Sequence, residues 1–326
     1  MMNQDFQGMD YIYEVYRQRS FSRAARKLMI SQPSLSATVK RIEGKIGQEL
    51  FDRGTSPVTL TECGRRYIQA VEAIREIEQD FESYLEDLHG LRTGHLTLGG
   101  TNLFASYVLP GLIGEFTRRY PEVEIELMEE NTANLEQMLT AGSVDLVIDN
   151  FQFDEKVFER YLVGTEYLLL TVPRDWKVNR EIEEYQIPVE DILNGTYREN
   201  GVPAVRLEVF SDEPFLFLKK ENDTRERGMR LCRDAGFQPR VVLNLDQQVT
   251  AYNLSCAGMG ISFISDTLIR NVPPHRGVVF YRLEGKHPVR EIYFFRKAGR
   301  YMSRAVKEFL RLAANSSFSD SFFESV

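Results

Sequence analysis

The sequence predicts an α/β protein: two α/β lobes in tandem, preceded by a small all-α head carrying a two-stranded wing and then by one long helix. Three observations predict it. In the first 60 residues, apolar positions recur at helical spacing in short runs with polar caps. From Thr61 the same spacing continues without a break for about 30 residues. From His95 the period changes to short strands, several ending in Thr, Asn or Asp, that alternate with helical runs.

A first helix is predicted from about Met9 to Arg19, with Met9, Ile12, Tyr13 and Tyr16 on one face. Ser20 is an N-cap candidate for a second helix whose Phe21, Ala24, Ala25 and Leu28 sit at core-facing spacing. Ser31 is the next cap candidate, with Gln32 and Pro33 in the first turn, where a missing N–H does no harm. Leu35, Val39, Ile42 and Ile46 bury one face of this third helix. The opposite face carries Pro33, Ala37, Lys40 and Gly44, flanked by Ser34, Ser36 and Arg41. Such a small, polar, basic surface suits a helix that enters the major groove. Gly47 ends the pattern, and Gly54 to Pro57 is turn chemistry between Glu49-Leu50-Phe51 and Val58-Thr59-Leu60. The wing so formed places Arg53 within reach of a phosphate or the minor groove.

The chain as a whole is acidic, with a net charge of −8, yet from Arg17 to Arg66 eleven Lys/Arg stand against four acids, a local +7. Phosphate neutralisation needs positive charge gathered on one module, so duplex DNA is the predicted partner of the head. Hydrophobic content of 43% is that of an ordinary globular protein. Cys63, Cys232 and Cys256 are widely spaced, and neither they nor His89, His95, His275 and His287 have ligand spacing, so no disulfide framework, metal or cofactor is expected. No apolar run approaches the ~20 residues of a membrane span. The start MMNQDFQGMD does not read as a signal peptide, so a cytoplasmic location and no membrane partner are expected.

Thr61 opens a capping-box-like start to the long helix, expected to reach about Gly90. Tyr67, Val71, Ile74, Ile77, Phe81, Leu85 and Leu88 form an apolar seam near a heptad rhythm. From Tyr67 to Leu91 one base, Arg75, faces seven acids, so this helix is not itself a DNA binder. A seam with nothing in cis to cover it predicts a homodimer through this helix.

After a boundary at Leu91–Gly94, HLTLGGT is a strand, the region from Phe104 to Tyr120 a helix, EVEIELMEE a strand, NTANLEQMLTAG a helix and VDLVIDN a strand. In parallel sheets, ligands sit beyond the strand C-termini against helix N-termini, where Thr101, Asn102, Asn131, Thr132, Asp149 and Asn150 fall. The pattern repeats with TEYLLLTV (165–172), PFLFLKK, a helix capped by Asn222 or Asp223 and including Thr224, VVLNL, a helix to about Gly258, and GISFISD, whose Phe263 joins the candidate ligand residues. Strands VVFYRL and REIYFFRK and a helix from about Tyr301 to Ala313 close the chain. The expected division is 1–60 head, 61–91 linker and dimerisation helix, 92–315 ligand-binding domain and 316–326 flexible tail. Within the domain, one lobe spans about 95–164 plus 270–315 and the other about 165–269, with a cleft between them.

Ser20-Phe21-Ser22 with Ala24-Ala25, then Ser31-Gln32-Pro33-Ser34-Leu35-Ser36, Leu50-Phe51-x-Arg53 and Leu60-Thr61-x-x-Gly64 resemble the LysR-type transcriptional regulators. The order and spacing match throughout the first 65 residues, and more weakly to the last helix. The resemblance implies a winged helix-turn-helix, a dimerising linker helix and an effector domain of two Rossmann-like, periplasmic-binding-protein-like lobes. It further implies a sequence-specific regulator, homotetrameric, bound to a dyad operator near a promoter, that changes DNA bending when a small effector fills the cleft, with RNA polymerase as a further partner. Gln32, Pro33 and Ser36 fall at the family's groove-facing positions and Lys40, Arg41 and Arg53 near phosphates. Arg23, Ser31 and Ser34 complete the expected DNA-binding set. Ala37 stands where many members have Arg, and Gly54 to Pro57 lack bases common on the wing. Trp176 to Asp212 is longer than usual, which predicts an added element or a remodelled cleft wall.

Thr101-Asn102, Asn131-Thr132 and Asn222-Asp223-Thr224 match the family's ligand loops, and Gly258-x-Gly260-Ile261 its late Gly turn, where a structural role is expected. Helix N-termini offering unpaired N–H groups suit an anionic metabolite such as a carboxylate. Cys232 lies near Arg230 and Arg233, which favours a thiolate, but a lone helical cysteine is more often a small core residue, and that role is expected. Two other classes compete. A cytoplasmic small-molecule binding protein, its head an assembly module with no DNA role, leaves the local +7 unexplained. An enzyme lacks its marks, since no nucleophile elbow, P-loop or GxGxxG is found.

Overall fold

Short capped amphipathic runs and alternating strands become the elements expected of them in a computed structural model, which describes residues 6–88, 94–199, 201–220, 222–285 and 287–315. The boundary residues Leu91 to Thr93 and the tail from 316 lie outside the described residues. The chain forms two compact units, Met1–Leu85 and Glu86–Val326.

The first unit contains α1 (Met9–Gln18), α2 (Phe21–Lys27), α3 (Gln32–Ile46), β1 (Phe51–Asp52), β2 (Thr59–Leu60) and most of α4 (Glu62–Leu88). Ser20 Oγ accepts from the Arg23 amide at 3.4 Å and Ser31 Oγ from the Ser34 amide at 3.3 Å, so both expected caps satisfy an orphan N–H. Between them, Met29 takes a left-handed backbone with φ 55° and points its side chain to solvent. The core is built from Ile12, Val15, Ala24, Ala25, Leu35, Val39, Ile42, Leu50 and Phe51. Tyr67, Ile68 and Val71 of α4 complete it, so the first turns of the long helix belong to the head's core and not to a separate linker. Further along, the seam is uncovered: Ile77, Phe81 and Leu88 are 70%, 59% and 64% exposed.

The second unit opens with β3 (Gly94–Gly100), α5 (Asn102–Tyr107), α6 (Leu109–Arg119), β4 (Val123–Glu129), α7 (Thr132–Thr140) and β5 (Leu146–Asp149). The single helix expected over 104–120 is two, because Pro110 sits in the first turn of α6 and cannot donate to the preceding turn. Strands β4, β3 and β5 are parallel neighbours, and the next strand, β6 (Phe158–Pro173), is twice the length expected. Then follow α8 (Val178–Glu181), β7 (Gln186–Ile187), α9 (Val189–Leu193), β8 (Pro214–Leu218), α10 (Asp223–Asp234), β9 (Arg240–Leu245) and α11 (Gln248–Cys256). The chain ends with β10 (Ile261–Ser265), α12 (Asp266–Asn271), β11 (Val278–Tyr281), β12 (Val289–Lys297) and α13 (Arg304–Ala314).

The long β6 joins the lobes. Residues 158–167 pair with β12 in the first lobe, whereas 168–173 pair with β10 and β11 in the second. Three parallel strands in each lobe are thus completed by antiparallel crossover strands, giving a mixed sheet in place of the mostly parallel one expected. β11 also corrects the lobe boundary. It pairs with the far half of β6 and with β7, so the chain returns to the first lobe only at β12 and not at 270. Alternation explains the layers: on β5, Leu146 and Ile148 face one core and Val147 the other, and on β12 Phe294 faces one while Tyr293 and Phe295 face the other.

One contact in the head is unforgiving. Thr61 Oγ1 accepts from the Gly64 amide at 2.9 Å, and a Cβ at Gly64 would lie 1.9 Å from the Leu50 carbonyl oxygen. Backbone, not a flexible side chain, blocks that space. Gly64→Ala is expected to lower the head's stability by ~2–4 kcal/mol, read as a lower urea midpoint.

Candidate nucleic-acid interface and effector cleft

α3 presents Ser31, Gln32, Pro33 and Ser34 to solvent at its N-terminus, with Lys40 and Arg41 exposed further along and Ser36 half-buried. The Ser31 hydroxyl is engaged as the cap. Arg23 donates through Nη2 to the Gln18 carbonyl at 2.7 Å, tying the start of α2 to the end of α1. Arg53 is held from three sides: Nη2 lies 2.8 Å from Glu43 Oε2, Nη1 is 3.5 Å from Ser36 Oγ, and its guanidinium lies 5.2 Å from the centre of the Phe21 ring. The wing base is therefore fixed beside α3.

Glu43, absent from the expected set, organises this corner. It is 7% exposed, and Oε1 accepts from the amides of Leu50 at 2.9 Å and Phe51 at 3.3 Å. Its signal was available: an acid four residues after Val39, inside the apolar stripe, must find donors. It is also the carboxylate that neutralises Arg53.

In the second unit, the N-terminal turns of α5, α7, α10 and α11 converge on a cavity of ≈ 640 Å³ between the lobes. Thr101, Asn102, Asn131, Thr132, Asp149, Asn222, Asp223 and Thr224 all line it, as do Asn150, Gln247 and Gln248, of which the two glutamines were not expected. Asn131 and Asn222 cap their helices, accepting from the amides of Asn134 and Thr224, each at 2.9 Å. Phe263 does not belong here. It is 3% exposed inside the second-lobe core, 5.6 Å from Phe217 ring centre to ring centre, and a Cβ on Gly228 would come within 2.8 Å of its ring. The strand's alternation sends it to the α10 face.

Arg290 of β12, missed by sequence reasoning, forms the floor. It is 3% exposed, with Nη2 2.7 Å from Glu166 Oε1, and Nη1 2.9 Å from Thr224 Oγ1 and 3.3 Å from Asp223 Oδ2. Asn150 Nδ2 donates to the same Glu166 oxygen, and Arg227 pairs with Asp223 at 2.7 Å. Asp149 is buried, accepting from Thr132 Oγ1 at 2.9 Å and from the amides of Asn150 at 2.7 Å and Phe151 at 3.0 Å. Burial pushes its carboxyl up to about 6 against the pull of those hydrogen bonds and of Arg290. Burial likewise pushes the Cys232 thiol up to about 12, as befits the core residue expected.

Charge argues against the anionic effector that the helix termini suggested. Lys219 is neutralised by Asp246 at 2.7 Å, and Arg290 with Arg227 by Glu166 and Asp223. Among the described residues, no cation is ion-paired with the other lining carboxylates, Glu129, Glu130, Glu136 and Asp149. Four helix N-termini at roughly half a charge each supply about +2 against these four, so the cavity stays negative.

Residues 89–317 match the family described as LysR substrate binding domain, and residues 6–65 that described as bacterial regulatory helix-turn-helix protein, lysR family. The chain is 30% identical over 313 residues to the HTH-type transcriptional regulator YcgK of Bacillus subtilis, covering 96% of this chain and 94% of that one. The chain belongs to the LysR family. It is thus one of a family of DNA-binding transcriptional regulators with an effector-binding domain. The RuBisCO operon transcriptional regulator of Allochromatium vinosum is 28% identical over 295 residues, covering 90% of each chain. Two solved structures share the fold: a full-length OxyR variant from Pseudomonas aeruginosa (TM-score 0.67, 20% identity, 98% of this chain and 96% of that) and full-length CbnR complexed with its target DNA (TM-score 0.61, 16% identity, 94% and 98%).

Two measurements probe the LysR-family chain's sites. Glu43→Ala leaves two buried amides without an acceptor and is expected to cost the head ~2–3 kcal/mol in chemical denaturation. Asp149 holds its proton more tightly folded, at about 6, than its ordinary 3.8. Its contribution is therefore complete below about pH 4 and is lost as pH rises through about 6, a change of ~3 kcal/mol. Asp149→Asn should erase that dependence, so the variant's melting temperature gains on the parent's between pH ~4 and pH ~7.5.

Proposed function

We propose that this LysR-family chain is a cytoplasmic regulator without enzymatic activity, which binds a dyad operator near a promoter. α3 enters the major groove, where Gln32, Pro33, Ser34 and Ser36 meet base edges, while Arg23, Lys40, Arg41 and Arg53 contact phosphates. The observation that carries this reading is the exposed, small and polar N-terminal surface of α3, with a basic residue fixed beside it by Glu43. Direct readout needs side chains free to hydrogen-bond base edges, and Gln32 and Ser34 are exposed.

Two copies join through α4. Its 27 residues span ~40 Å, and the exposed Ile77 and Phe81 are the apolar surface a partner helix covers. Dimers pair into tetramers, and a small molecule between the lobes sets the relation of the half-sites, with RNA polymerase as a downstream contact.

A gel-shift titration with duplex DNA across salt concentrations tests the reading. Affinity should fall steeply with salt, and Gln32→Ala and Ser36→Ala should each lose about 1–3 kcal/mol of operator discrimination while folding normally. Unchanged operator preference in both would reject α3 as the reader. For assembly, Ile77→Asp combined with Phe81→Asp should sediment as a smaller species than the parent, and parent-like sedimentation would reject the α4 interface.

A further inference from the structure

We propose that Asp87 is a latch. It holds the first turn of α13 and thereby keeps the last turn of α4 helical, and its release puts a slack joint into the connection between the effector domain and the head. This deepens the regulator reading above, on which it rests, by naming how one part acts on the other.

Asp87 stands at the wrong end of its own helix. The last turn of α4 leaves carbonyl groups unpaired, carrying a partial negative charge, and no base in that turn offsets them. An acid placed there weakens the helix that bears it. Packing within the chain does not make up the loss, since Leu85 and Leu88 are 41% and 64% exposed. For α13 the same carboxylate is favourable. Its Oδ1 and Oδ2 lie 3.0 and 2.9 Å from the amide of Arg304, the first residue of that helix, and Oδ2 also accepts from the Tyr301 hydroxyl at 2.8 Å. Ser303, the cap residue, takes the Val306 amide at 3.2 Å instead, so the two acceptors divide the orphan N–H groups between them. The group that loosens the end of α4 alone thus secures it once α13 is present. All of these residues lie in the second unit.

The far side of the latch is firm. α13 buries Ala305, Val306, Phe309, Leu312 and Ala313. Phe309 packs on Phe294 of β12 with ring centres 5.7 Å apart, and β12 also carries Arg290 at the cleft floor. One strand and one packed helix therefore separate the cleft from Asp87. At the other end, the first turns of α4 belong to the head's core. What lies between includes one helical turn with two states, ordered when latched and frayed when free, the kind of bistable element that coupling between sites requires.

Amide hydrogen exchange on the full chain tests the latch. Asp87→Ala and Asp87→Lys each suit the end of an isolated helix better than aspartate does, so without a latch they would slow exchange over 82–88. With it, both should speed exchange there by about tenfold or more, the loss of a charge-assisted contact, together with the first turn of α13 and with β3 to β5 unchanged. Asp87→Asn, which keeps an acceptor oxygen, should give a smaller rise. Exchange over 82–88 that slows or stays as it was in Asp87→Ala and Asp87→Lys would overturn the latch. The joint is read on a duplex selected by the parent protein from a random-sequence pool and labelled for energy transfer at both ends. The variants should bind it within about twofold of the parent's affinity, since α3 is untouched, but with a broader spread of end-to-end transfer. A spread equal to the parent's would overturn the slack joint. A parent that selects no duplex rejects the regulator reading, and the exchange result then decides the latch alone.

Discussion

The ion pair between Glu166 and Arg290 is the constraint on which the second unit depends. The two residues are directly opposed across β6 and β12, and both side chains are almost fully withdrawn from water. Two charges taken out of solvent cost several kcal/mol each unless their remaining hydrogen-bonding capacity is met. Here part of it is met, from both lobes, by Asn150 at the end of β5 and by Asp223 and Thr224 in the first turn of α10, while Glu166 Oε2 and Arg290 Nε find no hydrogen-bond partner. The pair therefore does more than join two strands. It obliges the end of a first-lobe strand and the start of a second-lobe helix to stand where their polar groups face each other, and that spacing is the width of the cleft floor.

The same logic, a buried carboxylate organising what surrounds it, recurs in the head at smaller scale. Glu43 accepts the two amides at the start of the wing and pins Arg53 against α3. Repulsion between basic side chains on this unit is relieved by one buried acid, and the wing's base is aligned before any phosphate arrives. Preorganisation of this kind lowers the entropy lost on binding. The net result is segregation: basic groups with small polar ones on the surface of α3, and unpaired carboxylates in the effector cleft.

Much of this was legible in the sequence, and the misses have definite causes. Ser20, Ser31, Asn131 and Asn222 announce helix starts because a cap is a local event, decided within four residues. The apolar stripe of α3 was legible for the same reason. Strand length was not: β6 was foreseen from 165, but its first half, 158–164, sets Glu159 beside Arg160 and Tyr161 beside Leu162 and Val163 with no period-two alternation, and gains its pairing only from β12, more than a hundred residues away. The placement of β11 failed likewise, since nothing local says which half of β6 it joins. Phe263 was misjudged because a one-residue step along a strand exchanges core for cleft, and only the sheet's register decides which. Arg290 and Glu166 read as ordinary charges in a strand until their partners are known.

The stretch from Trp176 to Asp212 was expected to add an element or reshape the cleft wall, and in the structure it forms α8, β7 and α9 of the second unit. None of its residues lines the cavity. It adds β7 to the outside of β11, and its turn at Thr196–Arg198 reaches the crossover. There the fully buried Asp266 accepts from Tyr197 at 2.8 Å, Arg198 at 2.6 Å, Arg270 at 2.9 Å and the Tyr167 amide at 2.8 Å. The Arg198 guanidinium also lies 4.3 Å from the centre of the Tyr167 ring. Tyr167 immediately follows Glu166 on β6, so this stretch and the cleft floor grip adjacent residues of one strand. A carboxylate with two guanidiniums and a phenol around it resists displacement far better than a free strand would. This stretch thus braces the point where β6 passes from one lobe to the other, since Tyr197 and Arg198 hold Asp266 and Arg198 packs on Tyr167 beside it.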